Sequence, residues 1–231
     1  MGYKTIFFDL DHTLWDFEQN SFNTLEHIYH EHNLADRGVD SLTSFHQRFK
    51  AHNDRLWARY RNGFIGREDL KWKRMWLTLI EFKIGDERLA RDLSAVYMDM
   101  LPYQQSLFPH ALEILDYCKE KSYDMNLITN GFEDTQWKKL NATGIGNYFS
   151  HVITSETSNS LKPHAPIFTY ALSLAMADKE SSIMIGDSLE ADVLGAQSFG
   201  MDQVYFNPEQ VVHNEQPTFE ISCLSELKGI L

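Results

Sequence analysis

Two carboxylates separated by one residue, Asp9 and Asp11, close the apolar run Ile6-Phe7-Phe8. Residues i and i+2 of a strand share a face, so a strand that persists to its tip crowds both acids into one spot at the mouth of a core. Like charges that close resist ionising together, and a bound cation or a shared proton resolves the conflict. The plain alternative is a strand that ends in an acidic turn. Three further stretches carry residues that would complement such a pair. Thr129, Asn130 and Gly131 end the apolar segment MNLITN. Gly186, Asp187 and Ser188 end SIMI, with Glu190 and Asp192 just behind. Lys162 sits in Ser160-Leu161-Lys162-Pro163, ahead of a helical stretch.

Brought together, these groups have a chemical logic. Several carboxylates with no His or Cys among them favour a hard, oxygen-preferring ion such as Mg²⁺. A hydroxyl, a lysine and backbone amides at a helix start suit phosphate oxygens. A carboxylate oxygen of Asp9, held in line, could attack phosphorus, and Asp11 would give and take the proton. Catalysis would then rest on positioning and charge neutralisation.

The elements that must position these residues follow from periodicity. Phe22, Leu25, Ile28 and Tyr29 recur at helical spacing, as do Phe45, Phe49, Leu56, Trp57 and Tyr60, a helix that Asn62-Gly63 should stop. Further helices start near Arg67 and near Asp86. Residues 16–105 therefore read as an inserted helical domain, and 1–15 with 106–231 as the core. In the core, helices at 109–121, 133–141, 165–176 and 191–199 alternate with apolar strands at 125–130, 151–155, 182–187 and 202–206. The segment 223–230 reads as a last short helix or strand. Alternation implies right-handed βαβ units and an α/β, Rossmann-like, doubly wound parallel sheet. Ligands of such sheets lie beyond the carboxyl ends of the strands, where all the residues named above fall.

The chain has 231 residues, 43% hydrophobic and 23% charged, ordinary for a globular protein. With 21 basic against 33 acidic residues its net charge is −12, which disfavours a nucleic-acid polymer or an anionic membrane as partner. Cys118 and Cys223 stand alone, without a CxxC pattern, which suits a reduced, cytoplasmic setting. No apolar stretch approaches the roughly 18 residues of a membrane helix. His27 and His30 lie one helical turn apart, and a solvated helix face explains them as well as a metal would. Gly144-Ile145-Gly146 is no dinucleotide fingerprint, since Phe149 stands where the third glycine belongs.

In this order and on these elements, FFDLDHT, NLITNG, LKP and the GDxxxxD run from Gly186 to Asp192 resemble the four motifs of the haloacid dehalogenase superfamily. The resemblance covers the whole chain. It implies Asp9 as nucleophile and metal ligand, and Asp11 as acid and base that also offers its backbone carbonyl to Mg²⁺. Thr129, Asn130 and Lys162 would hold phosphate, Asp187 would complete the metal site, and Asp192 would support it from behind. The helical insertion resembles the superfamily's first cap type. An acid at position 11 argues for phosphate-ester chemistry over dehalogenation and leaves a phosphomutase open.

The run DLDHTLWDFEQNS and the layout of the insertion are similar to the superfamily's pyrimidine 5′-nucleotidases. The reaction so implied is hydrolysis of a nucleoside 5′-monophosphate through a phospho-aspartate. A sugar-phosphate or phosphoglycolate phosphatase, and a phosphate-sensing binding module, are the alternatives. The expected partner is a small phosphate ester, and the chain would be a monomer or homodimer. Trp15 and Phe17 at the hinge, and Arg74 in the insertion, are candidates for substrate contact. Packing is the plainer role for the aromatics Trp57, Tyr60, Phe64, Trp72 and Trp76, and a solvated face the plainer one for Arg74.

Overall fold

The computed structural model describes residues 2–231. The chain divides into two compact units, one made of the residues through Phe17 with Gln105–Leu231, the other of Glu18–Gln104.

The first unit is built on a six-stranded, all-parallel sheet, β1 (Thr5–Phe8), β2 (Asp124–Thr129), β3 (His151–Thr154), β4 (Ser182–Gly186), β5 (Asp202–Phe206) and β6 (Phe219–Ile221). Its order is β3-β2-β1-β4-β5-β6. The doubly wound expectation is met. The chain builds outward from β1 through β2 to β3 and then crosses back to β4 on the other side of β1. The switch between the two halves therefore falls between β1 and β4, whose register pairs Phe8 with Ile185. The β6 strand was not expected.

Both faces of the sheet are buried, which is why the strands read as unbroken apolar runs. The helices of this unit include α5 (Ala111–Glu120), α6 (Glu133–Thr143) and α7 (Ala165–Ala175). On one face of the sheet Phe7, Ile128, Ile153 and Met184 pack with Ile167, Phe168 and Ala171 of α7, and with Ala196 and Met201. Ile6, Phe8, Leu127, Ile183 and Ile185, on alternate positions, are equally buried. The stretch read as one helix at 191–199 is a wound turn at Leu189–Leu194 of wider, π-type pitch, leading into Gly195–Phe199. Gly195 permits a close approach there, because a Cβ would meet Pro163 at 2.9 Å. The segment 223–230 carries a 3₁₀ turn, Leu224–Gly229.

The chain leaves the sheet unit and returns to it along two paired segments. Trp15 bridges Leu107 antiparallel, Asp16 N–H donates to Ser106 O at 3.0 Å, and Phe108 N–H to Leu14 O at 2.9 Å.

The second unit holds the helices α1 (Phe17–Glu31, in all but its first residue), α2 (Leu42–Arg61), α3 (Arg67–Glu81) and α4 (Glu87–Met100). Ser41 caps α2 by accepting from Ser44 N–H, and Asp86 caps α4 by accepting from Leu89 N–H. Leu25, Ile28, Phe45, Phe49, Met75, Leu79, Leu93 and Tyr97 form its core. Trp57, Tyr60, Trp72 and Trp76 are half-buried, whereas Phe64 is exposed. Trp57 meets Tyr60 edge to face, and Arg91 lies 3.8 Å over the Trp72 ring. Among the described residues no helix is long and apolar enough to cross a membrane.

Candidate active site

The tips of β1 and β4 lie side by side, and each hands over to an acid. Asp9 N–H still donates to Ile185 O at 2.8 Å, so Asp9 continues the β1 ladder by one residue. There the strand stops. Leu10 O accepts from Thr13, Leu14 and Trp15 N–H, and His12 takes a left-handed φ of 65°. Asp11 thus lies in a turn and not on a continued strand, although its charge still adds to the upward push on Asp9. Each has its own cation.

Asp9 Oδ1 accepts from Lys162 Nζ at 2.5 Å, and Asp192 Oδ1 lies 2.7 Å from the same ammonium. Lys162 also donates to Ile128 O at 2.6 Å and is fully enclosed. Its backbone is held in turn by Asn130, whose Nδ2 donates to Lys162 O at 2.9 Å and whose Oδ1 accepts from Lys162 N–H at 2.7 Å. The Asn130 side chain thus anchors the lysine's backbone. Burial pushes the Lys162 pKa down, and Asp192 with Asp9 more than reverses this, so the ammonium stays charged.

Asp187 follows β4. The Thr13 hydroxyl donates to its Oδ1 at 3.3 Å and accepts from its N–H at 3.1 Å, tying the turn after β1 to the end of β4. Asp192 Oδ2 accepts from Ser188 N–H at 3.1 Å. Asp192 thus accepts a backbone hydrogen bond at Oδ2 and meets Lys162 at Oδ1 as an ion pair. Gly186 makes room for it: a Cβ there would lie 2.2 Å from Asp192 Oδ2.

Asp9, Asp187 and Asp192 each bring one oxygen to within 4.8 Å of the others. Three buried or half-buried acids face one lysine, an excess of two negative charges if all ionise. The cost shows in their titration. Burial pushes Asp9 up to about 7, Lys162 opposes this, and Asp192 adds to it. Burial, then Asp9 and Asp192, push Asp187 well above the usual carboxylate range. An all-oxygen donor set with this surplus charge fits a hard divalent cation.

Asp11 has the opposite surroundings. Its Oδ1 accepts from Lys139 Nζ at 2.5 Å and its Oδ2 from Gln136 Nε2 at 2.9 Å. Burial raises its pKa, but the Lys139 ammonium and the Gln136 amide more than reverse that and hold the carboxyl below its ordinary value. Both partners come from α6 (Glu133–Thr143) and were not among the residues expected from the sequence. Their signal was present, since Gln136 lies four residues from both Phe132 and Leu140 and so falls on the buried stripe.

Thr129, at the end of β2, accepts at Oγ1 from Gly131 N–H at 3.1 Å and from Gln136 Nε2 at 2.6 Å. Its own O–H remains to donate outward. Trp15 is fully buried, with Lys139 Nζ 4.3 Å above its ring, so that face is already occupied. Phe17 is half-buried and packs on the His12 ring at 4.8 Å.

Arg74 is elsewhere in character: it is interior to the helical unit and 5% exposed. It donates to Asn53 Oδ1 at 2.9 Å and lies 4.8 Å over Tyr97. Neither a solvated face nor a charge offered to substrate describes it, because its guanidinium is consumed by packing.

The comparisons with known proteins agree with this geometry. A family model described as haloacid dehalogenase-like hydrolase matches residues 3–200. The pyrimidine 5′-nucleotidase PynA of Streptococcus pneumoniae is 30% identical, over 100% of this chain and 96% of its own. A glyceraldehyde 3-phosphate phosphatase of Pyrococcus abyssi is 30% identical over 88% of this chain and 81% of its own. Among solved structures, the HAD-hydrolase YfnB of Bacillus subtilis, described as bound to magnesium, superposes with a TM-score of 0.88 at 28% identity, covering 100% of this chain and 99% of that one. With the four strand-end motifs gathered at one sheet edge, this chain belongs to the haloacid dehalogenase-like hydrolases and is a phosphoric monoester hydrolase.

Proposed function

We propose that this hydrolase is a Mg²⁺-dependent phosphatase that works through a phosphorylated Asp9, and that its substrate is a nucleoside 5′-monophosphate. The observation that carries the chemistry is the pairing of two unlike acids: Asp9 beside Lys162 and two further carboxylates, Asp11 braced separately by Lys139 and Gln136.

Asp9 and Asp187, with the Asp11 carbonyl, would hold the metal, and Asp192 would steady Lys162 behind them. The ion supplies charge neutralisation at the phosphoryl group and at the carboxylates that crowd it. The chain's own residues do the rest. The described bonds to the Asp9 carboxylate go to Oδ1, which leaves Oδ2 for phosphorus. Asp11, ionised between Lys139 and Gln136, would first take up a proton from solvent; as the Asp9–phosphorus bond forms and the ester P–O bond breaks, it gives that proton to the leaving oxygen. In the second half Asp11 takes a proton from water, whose oxygen attacks phosphorus, and the Asp9–phosphorus bond breaks to release phosphate. Thr129 O–H would bind an oxygen of the transferring group, and Lys162, whose ammonium lies against Asp9, Asp192 and Ile128 O, would exchange one of these contacts to do the same.

The substrate reading is supported by likeness to PynA over the full length of both chains. A triose phosphate is the second reading, supported by the Pyrococcus abyssi relative. Phosphate release from a panel of nucleoside monophosphates and sugar phosphates separates them. The highest kcat/KM on a pyrimidine nucleotide is the expected result, and a preference for a triose phosphate replaces it with the second reading.

A further inference from the structure

Resting on the phosphatase reading, we infer that Gln136 and Lys139 of α6 are positioning residues: a two-point clamp that fixes the Asp11 carboxylate and ties it to the Thr129 hydroxyl. One amide nitrogen, Gln136 Nε2, donates to Asp11 Oδ2 at 2.9 Å and to Thr129 Oγ1 at 2.6 Å. It spans the group that handles the proton and the group that faces the transferring phosphate. Lys139 Nζ takes the other Asp11 oxygen at 2.5 Å, so both oxygens are fixed in direction as well as distance.

Three further observations show a built arrangement. Gln136 is 0% exposed and Lys139 3%, and burying a long polar or charged side chain is costly unless it is paired. Gln136 Oε1 has no hydrogen-bond partner, so the amide is buried at the expense of half its bonding capacity to keep Nε2 where it is. The reverse orientation would turn Oε1 toward a carboxylate. Finally, Gly131 is shaped for this amide: a Cβ there would lie 2.4 Å from Gln136 Nε2.

The clamp also sets the polarity of the Thr129 hydroxyl. Gly131 N–H and Gln136 Nε2 fill the acceptor side of Oγ1, so its single proton must be donated. Lys139 is in turn kept on station by the Trp15 ring, 4.3 Å from its ammonium. The buried tryptophan just after the first motif thus acts through Lys139 on Asp11.

A clamp on the acid and base, unlike a general packing contact, predicts a dependence on the leaving group. p-Nitrophenolate departs without a proton, whereas the alkoxide of a nucleoside or sugar phosphate needs one. The first irreversible step, read by kcat/KM, should therefore lose at least about tenfold more on an alkyl phosphate than on p-nitrophenyl phosphate in Gln136→Leu and in Lys139→Met, with Asp11→Asn as the reference. Lys139→Arg, which keeps a cation on Asp11, should recover most of the alkyl-ester loss. Equal losses on both esters, or no recovery with Lys139→Arg, overturn the clamp. Should Lys139→Met not fold, Gln136→Leu and Lys139→Arg carry the same comparison. If the unaltered enzyme releases phosphate from neither ester with Mg²⁺ present, it is the phosphatase reading that fails, a result distinct from even losses in an active enzyme.

Discussion

Asp9 and Asp11 are two residues apart, both are carboxylates at the same sheet edge, and their surroundings push them in opposite directions. Around Asp9, acids outnumber cations, and burial drives the carboxyl up to about 7. Around Asp11, one lysine and one amide serve one acid, and the carboxyl is held down. Chain distance therefore says little about chemical likeness. The difference is made by the element that each side chain meets: the Lys162 loop and the end of β4 for Asp9, and α6 for Asp11. One half of the site is short of positive charge and has a donor set that fits an ion from solution. The other half is complete in the protein alone. Two identical groups acquire different work when their environments differ in this way.

The strongest way to break this comparison is to remove each acid in turn. Asp9→Asn should lower turnover of every ester by on the order of 10⁴-fold or more, as loss of a nucleophile does. Asp11→Asn should spare kcat/KM on p-nitrophenyl phosphate, cost about 10²–10⁴-fold in kcat/KM on alkyl esters, and slow hydrolysis of the phospho-enzyme on both. Leaving-group release, in the first turnover and at steady state, measures this on both substrate types. An Asp9→Asn variant with normal turnover would remove the nucleophile assignment.

Next in size is Lys162→Met. It leaves Asp9 and Asp192 buried without their counter-charge and should cost about 3–5 kcal/mol of stability in metal-free protein. Denaturant unfolding reads that loss, and added Mg²⁺ should restore part of it. A loss under about 1 kcal/mol would mean that the acids hold protons instead of relying on the lysine.

Gly186→Ala acts on the Asp9 half alone. The added methyl displaces Asp192 and should weaken Mg²⁺ binding about 10–100-fold, the effect of disturbing a supporting partner. Titration with Mg²⁺ followed by tryptophan fluorescence or calorimetry gives the affinity. An unchanged affinity would show that Asp192 contributes nothing to the ion site.

The same comparison has a pH dependence. A folded-state pKa near 7 against 3.8 for a free carboxyl means that the fold keeps a proton the unfolded chain has lost. This contribution therefore falls as pH rises from about 4 to about 7 in metal-free protein. Asp11 has the reverse sign: its lowered pKa adds stability above its unfolded value, and this is lost as pH falls through the folded one. Melting temperatures across that window, with and without Mg²⁺, should show stabilisation by the ion that grows with pH. Stabilisation that shrinks with rising pH would contradict the surplus of charge around Asp9.

Most of the sheet was legible because its strands are buried on both faces and so read as apolar runs. The stretches at 125–130, 151–155, 182–187 and 202–206 became β2 to β5, and the tips of β1 and β4 carried the acids to one place. β6 was not legible. It has three residues, Phe219–Ile221, with Glu220 exposed between them, and its place is fixed by hydrogen bonds to β5, not by pattern. Asp9 and Asp11 were expected on one face because the strand was extended past Phe8. The Leu10 carbonyl, which collects three N–H groups, is a turn that alternation cannot reveal. Gln136 and Lys139 were missed for a different reason. Polar residues on a helix are assigned to water by default, and only their spacing from Phe132 and Leu140 marks them as interior. Arg74 misled in the same way, since a cation read as solvated is wrapped by Asn53, Tyr97 and Phe49.

The antiparallel pairing of Leu14–Asp16 with Ser106–Phe108 has a consequence for how this chain could change. The backbone circuit of the sheet unit closes at that ladder, before the long excursion begins. A short hairpin joining Asp16 to Ser106 would leave every crossover intact. The excursion is thus exchangeable cargo: lineages, or an engineer, could trade it for another segment without rewiring the sheet.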